Sequence, residues 1–456
     1  MIQDRLASFV VGLRDADLPP EVLTAVRQCV VDWFAAALPG GAEAPATLLI
    51  GALADELGRG RAMLFPSGLC APLRTAALIN GAASHTTEFD DIYRDAIYHP
   101  GTVVIPPALA AAQTLGASGA AFVRAVVAGY EVSNRIGTAV NPAHYAYWHT
   151  TGTVGHFGAA AAVASLLGLD AEQTAHALAT AATMAAGLQQ AFRADAMSKP
   201  MHAGQAAANG ALAAISAGAG VTGAAEMLEG RRGFGAAMSD DPDWSGAVAD
   251  LGRVFTIVET THKAYTSCGH GHAAIDAMLH LRERHGLGAG DVKRITVGTY
   301  GAALEVTGGM DPKSAFECKF STPYCVSVAL LTGRVRGEAF SARWLGDPGL
   351  RDVMARIEMT LDAEADAAFP QRRGALVEVE TTSGERFSHR SLTRKGDPDD
   401  PLSEEELTEK YWESAAPVIG RDAAETLLAA LWEVDRLADM ADLPFVPPRP
   451  AAARVV

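Results

Sequence analysis

Long segments rich in alanine and glycine constrain the fold of this chain more than any other feature of its sequence. Two of them read GHFGAAAAVASLLGLD (155–170) and GQAAANGALAAISAGAG (204–220). Alanine has the highest helix propensity, and glycine lets another backbone approach closely. Bulky aliphatic residues are too few for membrane-spanning helices. We therefore predict buried helices in a dense bundle.

Helix start and stop signals recur through the first 265 residues. Pro19-Pro20 begins a segment with apolar residues at helical spacing, and Pro39-Gly40-Gly41 ends it. Asp170 and Gln173 have the spacing of a capping box. These signals predict one helix after another.

The pattern changes after about residue 286. VKRITVGTY (292–300) and ARIEMTLD (355–362) alternate apolar and polar residues, as half-buried strands do. ALVEVETTSGERFSHRSL (375–392) predicts a hairpin that turns at Ser383-Gly384, and STPYCVSVALLTG (321–333) predicts a helix between these strands.

The fold class that follows is mainly α, with a large all-helical domain and a smaller α+β lid domain. We expect the helical domain at 1–268 and the lid at 269–396. The C-terminal helices at 397–456, which begin with a capping box at Ser403 and Glu406, are expected to return to the helical domain.

Charge and cysteine content exclude several classes of function. The formal net charge is −16, so nucleic acids and anionic membranes are poor partners. No uninterrupted apolar run has the length of a membrane helix, and Asp4 and Arg5 argue against a secretory signal. Five widely spaced cysteines predict free thiols and a cytoplasmic location.

Four polar segments interrupt the apolar helices and collect titratable residues. They are FDDIYRDAIYHPGTVVIPPA (89–108), NPAHYAYWHTTGTVGHFGAA (141–160), RADAMSKPMHAGQAAANG (193–210) and THKAYTSCGHGHAAIDAMLHL (261–281). Any one of these residues could instead be an ordinary surface acid or a satisfied core histidine. Because loops on rigid elements commonly build sites, we expect the four segments to converge on one pocket.

The lysines in these segments point to an anionic ligand. Lys199 is the first lysine of the chain, and a small-residue helix is expected to begin just after it. Lys263 lies upstream of Ser267, the expected N-cap of a second helix. Helix N-termini attract anions, so two such lysines suit a substrate with more than one carboxylate.

Metal and nucleotide chemistry leave weaker signals. The residues of CGHGH (268–272) could ligate a metal, but His-x-His at a helix start places its rings on different faces. GAGVTG (218–223) follows a helix instead of a strand, so it does not predict a dinucleotide site. We predict no metal and no cofactor.

Ordered blocks along nearly the whole chain resemble the MmgE/PrpD family. They include NGAASHTTEFDD, HPG, GYEVSNRIG, WHTTGTVGHFGAAAAVASLLGLD, SKPMHAGQAAANG, KAYTSCGHGHAAIDA and FSTPYCVSVALLTG. The resemblance implies a helical domain with an α+β lid, an active site between them, a homodimer and no cofactor. Ile97-Tyr98 precede His99 where the family's dehydratase branch typically has tryptophan.

The resemblance also implies functional roles for Asp91, His99, His149, Lys199 and Lys263, and our interpretation of the polar segments adds the other residues named here. Five are assigned catalytic roles: His99, His149, Asp91, Tyr145 and Lys199. Those assigned to substrate binding are Lys199, Lys263, Ser267, Cys268, Tyr147, Asp90 and Tyr324.

Family members act on small di- or tricarboxylates with an acidic proton beside a carboxylate. We expect the lysines to bind carboxylates, His149 or His99 to act as base or acid, and Asp91 to orient a histidine. Tyr145 or Tyr147 would be a second proton donor. A dehydratase-like lyase is favoured. The alternatives are an iminodisuccinate-type epimerase, a cis-aconitate-type decarboxylase and a non-catalytic binding protein.

Overall fold

The computed structural model describes residues 1–193 and 195–448, which fall into two compact units. The first comprises Met1–Phe192, Ala196–Thr260 and the chain from Ser403. The second comprises Arg193–Asp195 and Thr261–Leu402. Sequence patterns place the division at 268/269, whereas the units divide at 260/261. The physical reason is that Thr261 bonds Asp397, at 2.6 Å, within the second unit.

The first unit is built from helices, and those described first come from the part of the chain that precedes the second unit. They are α1 (Ile2–Leu13), α2 (Pro20–Gly41), α3 (Ala46–Ala52), α4 (Leu73–Ser84), α5 (Gly101–Leu115), α6 (Gly119–Val140), α7 (Thr150–Leu166), α8 (Ala171–Met184), α9 (Ser198–Gly218), α10 (Phe234–Met238) and α11 (Trp244–Val248). Two-residue strands lie between them: β1 (Ala62–Met63), β2 (Cys70–Ala71) and β3 (Ile92–Tyr93). A fourth, β4 (Thr260–Thr261), contains the last residue of this part of the first unit and the first residue of the second.

Small residues let α9 pack closely against both α4 and α7. A Cβ atom added to Gly204 would lie 2.2 Å from the Leu78 carbonyl oxygen of α4. One added to Gly210 would lie 2.4 Å from the His156 carbonyl oxygen of α7. The alanine- and glycine-rich segments are therefore buried helices of the bundle, as predicted.

The helix α2 supplies much of the core of the first unit. Its buried side chains include Trp33 and Phe34, whose rings meet edge to face with Phe65. Among the described residues it is the helix long and apolar enough to cross a bilayer, but 72% of that apolar window is buried inside the protein. Burial on this scale is typical of a core helix.

The second unit has an α+β architecture. Its elements are α12 (His272–His285), β5 (Val292–Thr299), α13 (Gly301–Thr307), α14 (Ala315–Lys319), α15 (Thr322–Thr332), α16 (Ala342–Leu345), α17 (Pro348–Met354), β6 (Ile357–Leu361), α18 (Ala363–Ala368), β7 (Ala375–Thr381) and β8 (Arg386–Ser391). Its strands form one sheet in the order β6-β5-β7-β8.

The sheet follows the apolar alternation of its sequence. β5 pairs with β6 in parallel and with β7 antiparallel, and the register places Val297 beside Val377. Inward residues such as Ile295, Val297 and Val379 share a core with α12 and α15. The predicted hairpin is confirmed, because β7 and β8 pair antiparallel.

Beyond the second unit, α19 (Glu404–Ile419) and α20 (Arg421–Trp432) belong to the first unit's core. Both predicted capping boxes are present, at Asp170 for α8 and at Ser403 for α19. The prediction for Ser267 is wrong: α12 follows a short 3-10 turn, and its N-cap is Gly271. The mainly α fold class, with a smaller α+β part, is confirmed.

Candidate active site

Three of the four predicted polar segments bring titratable side chains together in the first unit. His85, Asp90 and His99 lie on the loop between α4 and α5. His149 is the N-cap of α7, and Lys199 lies in the first turn of α9. Because His85, His99, His149 and Lys199 lie at or next to helix ends, the backbone there can turn their side chains away from the helix packing.

Asp90 holds two imidazoles at once. Its Oδ2 lies 2.8 Å from Nδ1 of His85 and 2.8 Å from Nδ1 of His99. The two rings meet with their centroids 4.9 Å apart. Asp90 and His85 are both buried. The histidine-orienting contact expected of Asp91 is therefore made here by Asp90.

The surroundings of His99 fix which of its ring nitrogens carries a proton. Nδ1 lies 2.8 Å from the main-chain oxygen of Asp91, which can only accept a hydrogen bond. Nδ1 is therefore protonated in the neutral ring, and Nε2 is the nitrogen that can gain and lose a proton. Thr151 also holds the residue, because its Oγ1 accepts the His99 main-chain N–H at 3.3 Å.

The carboxyl group of Asp91 points into the core of the first unit. It accepts hydrogen bonds from the Gly101 N–H at 2.9 Å and from the Tyr130 hydroxyl at 2.7 Å. Burial, and then the charge of Asp32, raise the pKa of Asp91 to about 8. Asp91 is thus a neutral acid at pH 7 that anchors the start of α5.

A row of imidazoles extends from His85. Its ring stacks on His149 at 5.4 Å, and Nδ1 of His149 lies 3.1 Å from Nδ1 of His202. One of the two Nδ1 atoms must carry the proton and the other must accept it. We call His85, Asp90, His99, His149 and His202 the histidine cluster.

Burial keeps His85, His149 and His202 neutral. Burial, and then the positive charge of Lys199, lower the pKa of His85 to about 4, against the opposing effect of Asp90. Burial, and then the neighbouring His85, lower the pKa of His149 well below its ordinary value. The pKa of His202 is lowered by burial and by Lys199. At neutral pH these three rings are therefore uncharged.

Lys199 forms a buried ion pair with Glu88. The two side chains are almost fully inaccessible, and Nζ of Lys199 contacts Oε1 of Glu88. Glu88 has a φ of 59°, in the left-handed region that non-glycine residues seldom adopt. Such strain persists where the surrounding structure enforces it and is frequent at functional sites.

His85, Asp90 and His99 have the chemical types of zinc ligands, and their ligand atoms lie within 4.8 Å of one another. However, Asp90 Oδ2 lies at hydrogen-bonding distance, 2.8 Å, from both imidazole nitrogens. Two ligand atoms of one tetrahedral zinc ion lie about 3.3 Å apart. The observed distances are those of hydrogen bonds.

The remaining predicted residues lie outside the histidine cluster. Tyr147 is 75% exposed and Tyr145 is half-buried on the turn before α7. In the second unit, Lys263 is buried near His272, whose pKa is lowered by burial and then by Arg394 and Lys263.

Three further predicted residues belong to the second unit. The Tyr324 hydroxyl donates to the Ala339 carbonyl oxygen at 2.7 Å in its core. Ser267 is buried, and Cys268 is a half-buried free thiol at the N-cap of a 3-10 turn. Whether Lys263, Ser267, Cys268 and Tyr324 contact a substrate stays a prediction.

Two family models cover most of the chain. The MmgE/PrpD N-terminal domain matches residues 4–247, and the MmgE/PrpD C-terminal domain matches residues 265–435. The chain belongs to the MmgE/PrpD family. Among curated relatives of this MmgE/PrpD protein, human cis-aconitate decarboxylase is 28% identical over 81% of this chain and 78% of its own length.

Fungal relatives match over more of the chain. The cis-aconitate decarboxylase-like protein oryM of Aspergillus oryzae is 24% identical over 96% of this chain and 95% of its own length. The cis-aconitate decarboxylase of Aspergillus terreus is 24% identical over 97% of this chain and 95% of its own length. The resemblance drawn from sequence blocks is thereby confirmed at the level of the family.

Sequence reasoning did not assign roles to three residues that the structure places here. His85 and Glu88 precede the acidic pair in HTTEFDD, and His202 follows Lys199 in SKPMH. All three are polar residues next to an expected helix end, a signal that could have identified them. Their partners could not be read from the sequence, because Lys199 is separated from Glu88 by 111 residues.

Proposed function

We propose that this MmgE/PrpD protein is a cofactor-independent lyase that decarboxylates a cis-aconitate-like unsaturated tricarboxylate. The observation that carries the proposal is the Asp90-bridged pair of imidazoles beside the buried cation Lys199. This arrangement supplies a group for carboxylate binding and a group for proton transfer, which are the two requirements of the reaction.

The chemistry of the substrate defines what the protein must provide. In an acid of this type, a CH2–COO⁻ group is attached to a carbon–carbon double bond. The bond between the CH2 carbon and the departing carboxylate breaks, and CO2 leaves. The electron pair of the broken bond then forms a new C=CH2 double bond. The former double bond then takes up a proton beside its own carboxylate. One proton is consumed for each CO2 released, so the site must deliver a proton to carbon.

His99 is our candidate for the proton donor. Its Nδ1–H is directed at Asp90 and at the Asp91 main-chain oxygen, so Nε2 is the ring nitrogen proposed to exchange protons. The carboxylate of Asp90 stabilises the imidazolium form of the ring, and a protonated Nε2 can then donate to carbon. His149, the other histidine predicted from sequence, stacks on His85 beside this pair.

Lys199 and Lys263 are our candidates for carboxylate binding. Lys199 is buried beside the imidazoles, where low polarity strengthens its attraction for a substrate carboxylate. Lys263 and the 267–268 segment are proposed to bind another carboxylate, on the basis of the sequence. Tyr145 is retained as an alternative proton donor, and Asp91 as the residue that positions His99 through its main-chain oxygen.

We rank decarboxylation before dehydration, which reverses the preference drawn from sequence. The curated relatives described above are named as cis-aconitate decarboxylases or as similar to them. Ile97-Tyr98 also depart from the pattern of the dehydratase branch. Epimerisation would require proton transfer on two faces of one carbon.

Assembly and location complete the proposal. We expect a cytoplasmic homodimer, in line with the family resemblance. All five cysteines lie in the described part of the chain and are free, which agrees with a reducing compartment. Light scattering of the purified protein measures the assembly: a mass near 95 kDa, twice that of the 47.5 kDa chain, is expected, and a monomer would contradict it.

A substrate survey in deuterated water tests the activity. With cis-aconitate we expect one CO2 per turnover and an unsaturated dicarboxylate that carries one solvent deuterium on carbon. Turnover of citrate-like hydroxy acids to alkenes without CO2 would establish a dehydratase instead. Deuterium exchange into an amino- or iminodicarboxylate without net reaction would establish an epimerase.

A further inference from the structure

The buried ion pair between Glu88 and Lys199 raises a question about charge. Both side chains are nearly inaccessible, at 3% and 4% exposure. Lys199 already has a carboxylate partner before any substrate binds. An ammonium group has three N–H donors, so one lysine can bond two carboxylates at once. A substrate carboxylate there would place two negative groups on one buried cation.

Two carboxylates that share one site do not both remain ionised, because their repulsion favours uptake of a proton. We propose that Glu88 takes up one proton when a substrate carboxylate binds Lys199, and that this is the proton consumed by the reaction. The inference rests on the proposed function and assigns Glu88 a role in proton delivery.

The groups around Lys199 make Glu88 the favoured acceptor of this proton. The charge of Lys199 lowers the pKa of His85 at the α4 end, of His149 at the start of α7 and of His202 on α9. Asp90 already bonds both His85 and His99. Glu88 contacts the cation directly.

The proton balance of the reaction agrees with this assignment. Decarboxylation turns a trianion into a dianion and neutral CO2, and it consumes one proton. If Glu88 is protonated when the substrate binds, the proton is already inside the buried site when the carbon–carbon bond breaks. The histidine cluster next to Lys199 then provides the path by which it reaches carbon.

Calorimetry with the saturated analogue propane-1,2,3-tricarboxylate tests the inference on the whole protein. Binding is measured near pH 7 in two buffers of different ionisation enthalpy, which gives the number of protons taken up. We expect about one proton for the wild-type protein. Binding without proton uptake would overturn the role of Glu88, whereas absence of binding would overturn the proposed function, and the inference with it.

Three variants locate the proton. Glu88→Gln should bind the analogue with little or no proton uptake and should lose kcat by roughly 100-fold, while Glu88→Asp should recover part of both. Glu172→Gln changes a carboxylate that is 86% exposed on α8 and should behave as wild type. Uptake that persists in Glu88→Gln would assign the proton to an imidazole and refute the inference.

Discussion

The two adjacent aspartates of the α4–α5 loop have different environments although they are neighbours in sequence. Asp90 bonds two imidazoles, whereas Asp91 bonds the start of α5 and Tyr130. We predict that Asp90→Asn lowers kcat by about 100-fold or more, because the amide cannot stabilise an imidazolium. Asp91→Asn should retain kcat within a few-fold, since Asp91 is already uncharged at pH 7.

Steady-state kinetics on the two variants, with circular dichroism as the control for folding, makes this comparison. Equal losses in both variants would show that the two carboxyl groups act as one unit. A larger loss in Asp91→Asn would contradict the assignment of Asp90 as the residue that orients His99.

Asp91 should also make stability depend on pH. Its pKa is about 8 in the folded protein and about 3.9 in an unfolded chain, so the folded state binds more protons between these values. The contribution of Asp91 to the free energy of unfolding is therefore fully present below about pH 4 and is lost as pH rises to 8. The loss is roughly 5 kcal/mol at most. Buried histidines act in the opposite direction, so a variant is needed to isolate Asp91.

Thermal unfolding of wild type and Asp91→Asn at pH 5 and pH 8 measures this effect. The melting temperature of the variant, relative to wild type, should rise between the two pH values. A constant difference would mean that Asp91 is ionised in the folded protein.

At this scale the sequence was informative about residue type but not about partners. It predicted that His99, His149 and Lys199 matter, and the structure brings these three together with Asp90. It could not tell which aspartate faces the imidazoles, because that depends on the turn between Ile92 and Tyr98. Asp90 and Asp91 differ by one position along this loop, and their side chains are directed to opposite sides of it.

At the level of elements, the C-terminal helix α19 is tied to the loop that carries the aspartates. Lys410 is fully buried, with Nζ 2.6 Å from Asp32 Oδ1 on α2 and 2.7 Å from the Phe89 carbonyl oxygen. It also lies 3.9 Å from the centre of the Phe89 ring. This contact fixes the residue immediately before Asp90.

Removal of Lys410 should destabilise the first unit. Lys410→Met leaves Asp32 buried without its cation, which typically costs about 3–5 kcal/mol. The double variant Asp32→Asn with Lys410→Met should be more stable than the single one, because no uncompensated charge remains. Urea unfolding measures both. Equal stability of the single and double variants would refute a charge-based role for the pair.

Element types were predicted well where a local rule determines them. The capping boxes at Asp170 and Ser403, the Gly333 helix end and the β7–β8 hairpin are all present. The assignment of the 261–268 segment was not predicted, because its membership in the second unit depends on distant partners such as Asp397. Such long-range contacts have no periodic signature in a sequence.

At the scale of the whole molecule, we predict that a second lysine, Lys263 of the α+β unit, binds the substrate. Lys263→Ala should raise KM at least ten-fold with a smaller change in kcat, because one carboxylate contact is lost. Lys293→Ala, at a lysine that is 64% exposed and pairs with Glu380, is the matched control and should behave as wild type. Unchanged KM in Lys263→Ala would remove this residue from substrate binding.

We propose that His85, Asp90 and His99 form a proton relay that acts without a metal ion. The most direct measurement is the rate of CO2 release from cis-aconitate after exhaustive chelation, and again after zinc is added. We predict full activity after chelation and no gain from added zinc, because the hydrogen-bonded side chains transfer the proton by themselves. Activity that chelation abolishes and a divalent cation restores would refute a metal-free relay.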